Sequence, residues 1–283
     1  MKKMIVGKIL AMLLGSLVIN VASASSSVSA TLGNLHYTLI DLDPNDGITP
    51  SIVFGNVGYT DRSSQTSTYA YDDANGVHSK FNRAVAPSIT SSVTQSSPQY
   101  SMSASASGTS MLNSGVLSAY LQTSGDNKVS FDYDSTADFG VLQFTLSAHT
   151  AITFYADASV SAASSGLPSG GYRNSALGIA TLSGSFGGNG TALSFFNEDA
   201  RASLDQIVGS AGADLPVTDA KNQTLEFTYN NLLDIGIRGY VTSSVGTYAT
   251  LAVLAVPEPE TYAMLLAGLG LIGAIARRRK NLA

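Results

Sequence analysis

From residue 25 to about residue 256 the chain alternates short apolar and polar positions with a period of two, the pattern of half-buried β-strands. It is clearest where Ile152, Phe154, Ala156, Ala158 and Val160 interleave with Thr153, Tyr155, Asp157 and Ser159. Leu225, Phe227 and Tyr229 alternate with Glu226, Thr228 and Asn230 in the same way. Weaker versions run over Leu35–Ile40, Val129–Tyr133, Val141–Leu146, Leu177–Leu182 and Tyr248–Leu254. Between them stand turn formers: Asn75-Gly76, Gly125-Asp126-Asn127 and Gly187-Gly188-Asn189-Gly190. Many short strands with no sustained helical period predict an all-β fold, an antiparallel β-sandwich of jelly-roll type occupying residues 25–256 as one domain. One helix is expected, over Asn197 to Val208, with Asn197 as N-cap and Glu198 and Asp199 in its first turn. The Ser/Thr-rich stretch Ser88–Ser110 reads as a loop interrupted by an edge strand at Gln99-Tyr100-Ser101-Met102.

The two ends break this pattern. Lys2, Lys3 and Lys8 precede an apolar run from Ile9 to Val21, and Ala22-Ser23-Ala24 supplies the small residues at Ala22 and Ala24 that a signal peptidase reads. Residues 1–24 are therefore expected to be a cleaved signal peptide. At the other end, residues 257–283 open with Pro257-Glu258-Pro259-Glu260, where two prolines hold the backbone extended and accessible. Thr261 to Ala276 follow, apolar and rich in Leu, Ala and Gly, and as a helix they would run about 24 Å at 1.5 Å per residue. That is a short transmembrane helix, completed by Tyr262 at one interface and the cluster Arg277, Arg278, Arg279 and Lys280 at the other. Basic residues stay on the cytoplasmic side, so the body of the protein should lie outside the inner membrane.

Composition adds exclusions. Charged residues make up only 12% of the chain, and Cys and Trp are absent, so disulfides, thiolate nucleophiles and thiolate metal sites are ruled out. Residues 25–256 hold 8 basic against 18 acidic residues, a balance of −10, which excludes a nucleic-acid partner.

In order, Val256-Pro257-Glu258-Pro259, a short hydrophobic helix and a terminal arginine cluster resemble the PEP-CTERM sorting signal of Gram-negative bacteria. The resemblance covers about the last 27 residues. It implies recognition by an exosortase, transient anchoring in the inner membrane, and release to the cell surface or to an exopolysaccharide or biofilm matrix. It implies no activity for the central domain. Leu215-Pro216-Val217-Thr218 is not a rival sorting motif, because Asp219 replaces the required Gly, and it reads as a turn.

Within the domain, Asp41, Asp43 and Asp46 alternate before Gly47 as oxygen ligands for Ca2+ would. The EF-hand spacing fails, with Asp46 at the sixth position and Ile52 at the twelfth, and an acidic turn explains the same residues. Asp132, Asp134 and Asp138 form a second acidic group, read as metal or sugar ligands or as a solvated strand face. Tyr59, Tyr69, Tyr71 and Tyr100 stand in polar sequence where exposed rings could stack on sugars. An enzyme is not expected. Glu198 and Glu226 are the only Glu residues in the domain, His36, His78 and His149 are scattered, no nucleophile elbow is present, and Gly184-Ser185-Phe186-Gly187-Gly188 lacks the Lys of a phosphate loop. The sequence thus favours a structural or adhesive surface protein, with a Ca2+-assisted carbohydrate-binding module as the alternative and a polysaccharide-active enzyme behind it.

Overall fold

A computed structural model of the chain describes residues 25–55, 64–72, 77–86, 90–112, 114–123, 130–165, 172–188, 191–208 and 215–253. The expected signal peptide, with Ala22 and Ala24, and the sorting segment, with Pro257 to Pro259 and Arg277 to Arg279, lie outside the described residues. Among the described residues, thirteen strands form two antiparallel sheets. One sheet has the order β12-β9-β1-β7-β6-β5, from β12 (Val217–Asn231), β9 (Thr150–Ser164), β1 (Ser26–Asp41), β7 (Val116–Thr123), β6 (Tyr100–Ser107) and β5 (Ser91–Ser97). The other has the order β11-β10-β13-β8-β3-β4, from β11 (Thr191–Val208), β10 (Tyr172–Gly188), β13 (Ile237–Val253), β8 (Phe131–Leu146), β3 (Ser64–Asp72) and β4 (Val77–Ala86). The short β2 (Ile52–Phe54) continues the line of β3 by pairing with the far end of β8.

The period-two runs bury one face each. Ile152, Phe154, Ala156, Ala158 and Val160 of β9 are all core residues, as are Leu225 and Phe227 of β12. Polar positions on the other face pair across strands through hydroxyls: Ser29 with Ser161 at 2.8 Å, Ser183 with Thr242 at 2.8 Å and Ser105 with Ser118 at 2.7 Å. Such cross-strand pairs take the place of the missing charges, so a sheet face can be solvated with few Lys or Glu residues.

The thickness of the core changes along the strands. Toward the β8–β9 turn it is aromatic: Phe144, Phe154, Phe186, Phe196, Phe227 and Tyr229 meet with ring centroids 4.2 to 6.1 Å apart. The sheet surface leaves room for these rings at Gly239, where an added Cβ would lie 2.7 Å from Phe144 Cζ. Toward the middle the core is alanine, with Ala156, Ala158, Ala162, Ala176, Ala180, Ala200 and Ala202 buried, and the sheets close together. There a Cβ on Gly178 would sit 2.9 Å from the carbonyl oxygen of Ser29 in the facing sheet.

Three expectations are corrected. Asn197 to Val208 is not a helix but the larger part of β11, in register with β10 from Ser183↔Asn197 to Tyr172↔Val208. Ala200, Ala202 and Leu204 alternate into the core there, a period-two signal that a local N-cap pattern outweighed. Gln99–Met102 is not an edge: β6 lies between β5 and β7, and the edge is β5, whose Ser/Thr/Gln sequence carries almost no apolar alternation. Its buried Gln95 accepts from Thr68 Oγ1 at 3.1 Å and donates to the Tyr100 hydroxyl at 3.0 Å, fastening one sheet to the other. The stretch read as a turn at Leu215–Thr218 contains the start of β12 at Val217. Asp219, two residues on, accepts the Ser203 N–H at 2.7 Å, and Gln223 donates to the Asp199 carbonyl at 2.9 Å, so side chains close the gap between edge strands β12 and β11.

Candidate functional site: a loop end held by His149

Strand directions divide the sandwich into two ends. β1 starts, β13 finishes, and β9, β11 and β12 begin or stop around Ser164, Val208 and Val217 at one end. The opposite end carries the loops after β1, β8 and β12. Strands of 15 to 17 residues separate the two, a distance of roughly 50 Å at 3.3 Å per residue.

At that loop end, Asp41, Asp43 and Asp46 form a run of turns. Each gives one carboxylate oxygen to a backbone N–H two residues on: Asp43 N at 3.0 Å, Asn45 N at 3.2 Å and Ile48 N at 2.6 Å. The other oxygen of Asp46 accepts from His149 Nδ1 at 2.5 Å. His149 Nε2 lies 3.0 Å from Asp234 Oδ1 in the β12–β13 loop. An Nδ1–H bonded to one carboxylate, with a second carboxylate beside Nε2, favours the protonated imidazole. The Asp46 hydrogen bond, followed by the charges of Asp46, Asp234 and Asp43, accordingly raises the His149 pKa above its ordinary value. The Ile48 N–H and then His149 hold that of Asp46 below the usual carboxylate range.

The His149 backbone ties the same loops again. Its carbonyl accepts the Leu42 N–H at 2.8 Å and its N–H donates to Leu233 O at 3.3 Å. These bonds hold it at a φ of 47°, in the left-handed region that non-glycine residues seldom occupy. Asn231, fully buried, completes the arrangement by donating to Ser147 O and Ile235 O at 2.8 and 2.9 Å. Ligand atoms of Asp43, Asp46 and His149 come within 4.8 Å of one another; Asp41 is not in that group. The sequence brought out the aspartates but left His149 as a scattered histidine and gave Asp234 no role. Nothing local marks either one, because their partners are 103 and 85 residues away in the chain.

The other sequence candidates separate. Asp132, Asp134 and Asp138 share the outer face of β8. Asp132 accepts from Thr250 Oγ1. Burial, and then the charge of Asp132, pushes the Asp134 pKa up to about 6; burial pushes Asp138 up to about 6, opposed by Arg83. Tyr100 is buried against Tyr133 with ring centroids 4.5 Å apart, and is no sugar platform. Tyr69 and Tyr71 are half-buried on β3, and Tyr59 lies outside the described residues. Glu198 and Glu226 are exposed on different sheets, and His36 stacks on Tyr155 at 5.1 Å. A groove of about 580 Å3 beside Asn34 is lined by Asp157, whose carboxylate is already engaged by Asn34 Nδ2 at 2.9 Å and Thr224 Oγ1 at 3.0 Å.

Fold and site together define an all-β, two-sheet protein in which one end is bound by polar loops and the other continues into a terminal segment. That segment gives the identification: residues 255–280 match the PEP-CTERM protein-sorting motif, and the chain is a PEP-CTERM protein. The motif implies export, a membrane-anchored stage and processing by an exosortase. No curated protein matches the chain. Among solved structures, the carbohydrate-binding module TmCBM61 in complex with β-1,4-galactotriose is similar over 38% of this chain and 72% of its own, at 14% identity and a TM-score of 0.11. A structure of infectious bursal disease virus, Gx strain, covers 84% of this chain and 64% of its own at 11% identity and a TM-score of 0.11. A carbohydrate-binding module from the β-sandwich superfamily covers 72% and 97% at 7% identity and a TM-score of 0.09.

Proposed function

We propose that this is a non-catalytic structural or adhesive protein of the cell surface or of an exopolysaccharide matrix, delivered by its sorting signal and cut from it near Pro257–Glu260. The observation that carries this reading is the position of the motif. It begins at residue 255, two residues after β13 ends at Val253, and β1 starts at that same end of the sandwich. The loops around His149 lie at the opposite end of the sandwich from Val253. The catalytic candidates support the non-catalytic part: the two glutamates are apart, and His36 and His149 are each engaged in structural contacts.

The test is intact mass of the protein from its own host, with the exosortase present and deleted. A body ending near Pro257–Glu260 only when the enzyme is present supports the reading. Arg277 to Lys280 retained in both strains would make the tail a permanent anchor and remove the matrix role.

The same loops support a second, subordinate proposal, that the end binds Ca2+ through Asp43 and Asp46 with Asp41 alongside. Binding would have to displace the protonated form of His149 from Asp46, so it should strengthen as pH rises. Millimolar Ca2+ should then raise the melting temperature at pH 8 more than at pH 6, and Asp43→Asn should abolish the shift. An unchanged melting curve at both values leaves the residues as an acidic turn.

A further inference from the structure

On the outer face of the second sheet, next to the loop end, the strands build a shallow cavity of about 410 Å3. Its lining includes Gln143 and Thr145 of β8, Arg238 and Tyr240 of β13, Ser185 of β10 and Leu193 of β11. The register explains the grouping. Tyr240 stands opposite Gln143 on one side and Ser185 on the other, Ser185 stands opposite Phe195, and Arg238 stands opposite Thr145. Ser185 is buried, while Tyr240, Leu193 and Phe195 are 38%, 60% and 70% exposed, so rings and an aliphatic chain rise around a polar floor.

Three features of this surface ask for a ligand. Large apolar side chains stand out from this end of the sheet, at a cost in hydration that a monomer does not need. Arg238 makes no hydrogen bond or ion pair with any other described residue, whereas Arg173 and Arg201 are paired to Asp205 and Asp199. In a domain with a balance of −10, one uncommitted guanidinium beside a tyrosine is a local inversion of charge. The chemistry that fits an aromatic face, an amide, two hydroxyls and a guanidinium fork is a sugar ring bearing a carboxylate. The ring stacks on tyrosine, its hydroxyls bond Gln143, Ser185 and Thr145, and its carboxylate meets Arg238 in a bidentate pair.

We propose that this groove binds an acidic, uronate-containing polysaccharide, with Arg238 and Tyr240 as its anchors. The inference deepens the matrix role and rests on it for the availability of such a polymer. The groove lies at the end of the sandwich opposite Val253, the last described residue of β13. A single shallow subsite binds weakly, and repeated units on the polymer supply the rest through avidity.

The test is retention of the full chain, purified in mild detergent, on three immobilised probes: polygalacturonate, neutral β-1,4-galactan and dextran sulfate. Retention on polygalacturonate above both others is expected. Arg238→Gln and Tyr240→Ala should each weaken it by about tenfold, the scale of a lost charge-assisted or stacking contact. Lys221→Gln, on the exposed β12 edge, should leave it unchanged, and unaltered melting curves show that all three variants fold. No retention of the wild type, equal retention on galactan or dextran sulfate, full retention of Arg238→Gln, or equal loss with Lys221→Gln would each overturn the proposal. The exosortase mass experiment is independent of these outcomes, so a failed groove and a failed matrix role can be told apart.

Discussion

The aromatic end and the alanine middle of this sandwich keep two sheets together by opposite means. Where Phe144, Phe154, Phe186 and Phe227 meet, the sheets stand apart and large side chains fill the gap, with Gly239 leaving room for a ring edge. Around Gly178 the gap is filled by backbone and methyl groups, and the Ser29 carbonyl is in contact distance of any added atom. Each solution tolerates a different error: a wide core is damaged by removal of atoms and a narrow one by their addition.

That difference can be broken most strongly at Phe186, which is fully buried and contacts four other rings. Phe186→Ala should cost about 3–5 kcal/mol in denaturant unfolding. An effect below that of an ordinary surface change would mean the aromatic end is not a tight core. Gly178→Val should cost less, about 1–3 kcal/mol, by forcing the sheets apart. If it is neutral, the close approach of Ser29 to β10 is not a constraint.

Electrostatics sharpens the contrast further out. The Asp134 pKa, near 6 in the folded chain, exceeds its ordinary 3.8, so the folded state binds the extra proton and stability rises as pH falls from 7 toward 4. Asp134→Asn should therefore stabilise at pH 7 by on the order of 1 kcal/mol, reduced by solvent screening at a half-exposed site, and do little at pH 4. A destabilised variant at pH 7 would sink that account. The smallest effect belongs to the hub. His149 has a raised pKa, so its stabilisation is complete below about 6.5 and is lost as pH rises through the raised value. His149→Gln should make the decline of the melting temperature between pH 6 and 8 shallower than in the wild type; parallel curves would show that the histidine does not contribute to it.

Much of the fold was legible because a strand's two faces are written two residues apart. The core positions of β9 and β12 could be read directly. β11 was misread because Asn197, Glu198 and Asp199 look like a helix start, while the partner strand that fixes them as extended lies elsewhere in the chain. β5 was missed because its buried residues, Ser91 and Gln95, are polar, and Gln95 finds its partners only in the fold, Thr68 in the facing sheet and Tyr100 on the neighbouring strand. At the loop end, the acidic turn could be read from Asp41 to Gly47, since Asx turns bond within three residues.

By itself, then, the sequence determined that this protein carries a sorting motif and that it is built of strands, because a terminal motif and strand periodicity are local and need no partner. Tertiary structure decided which strands lie beside one another, that His149 rather than a third aspartate completes the loop cluster, and that Arg238, Tyr240, Ser185 and Leu193 share one groove. Those groupings join residues up to about a hundred positions apart, and only the register of the paired strands brings them within reach of a common ligand.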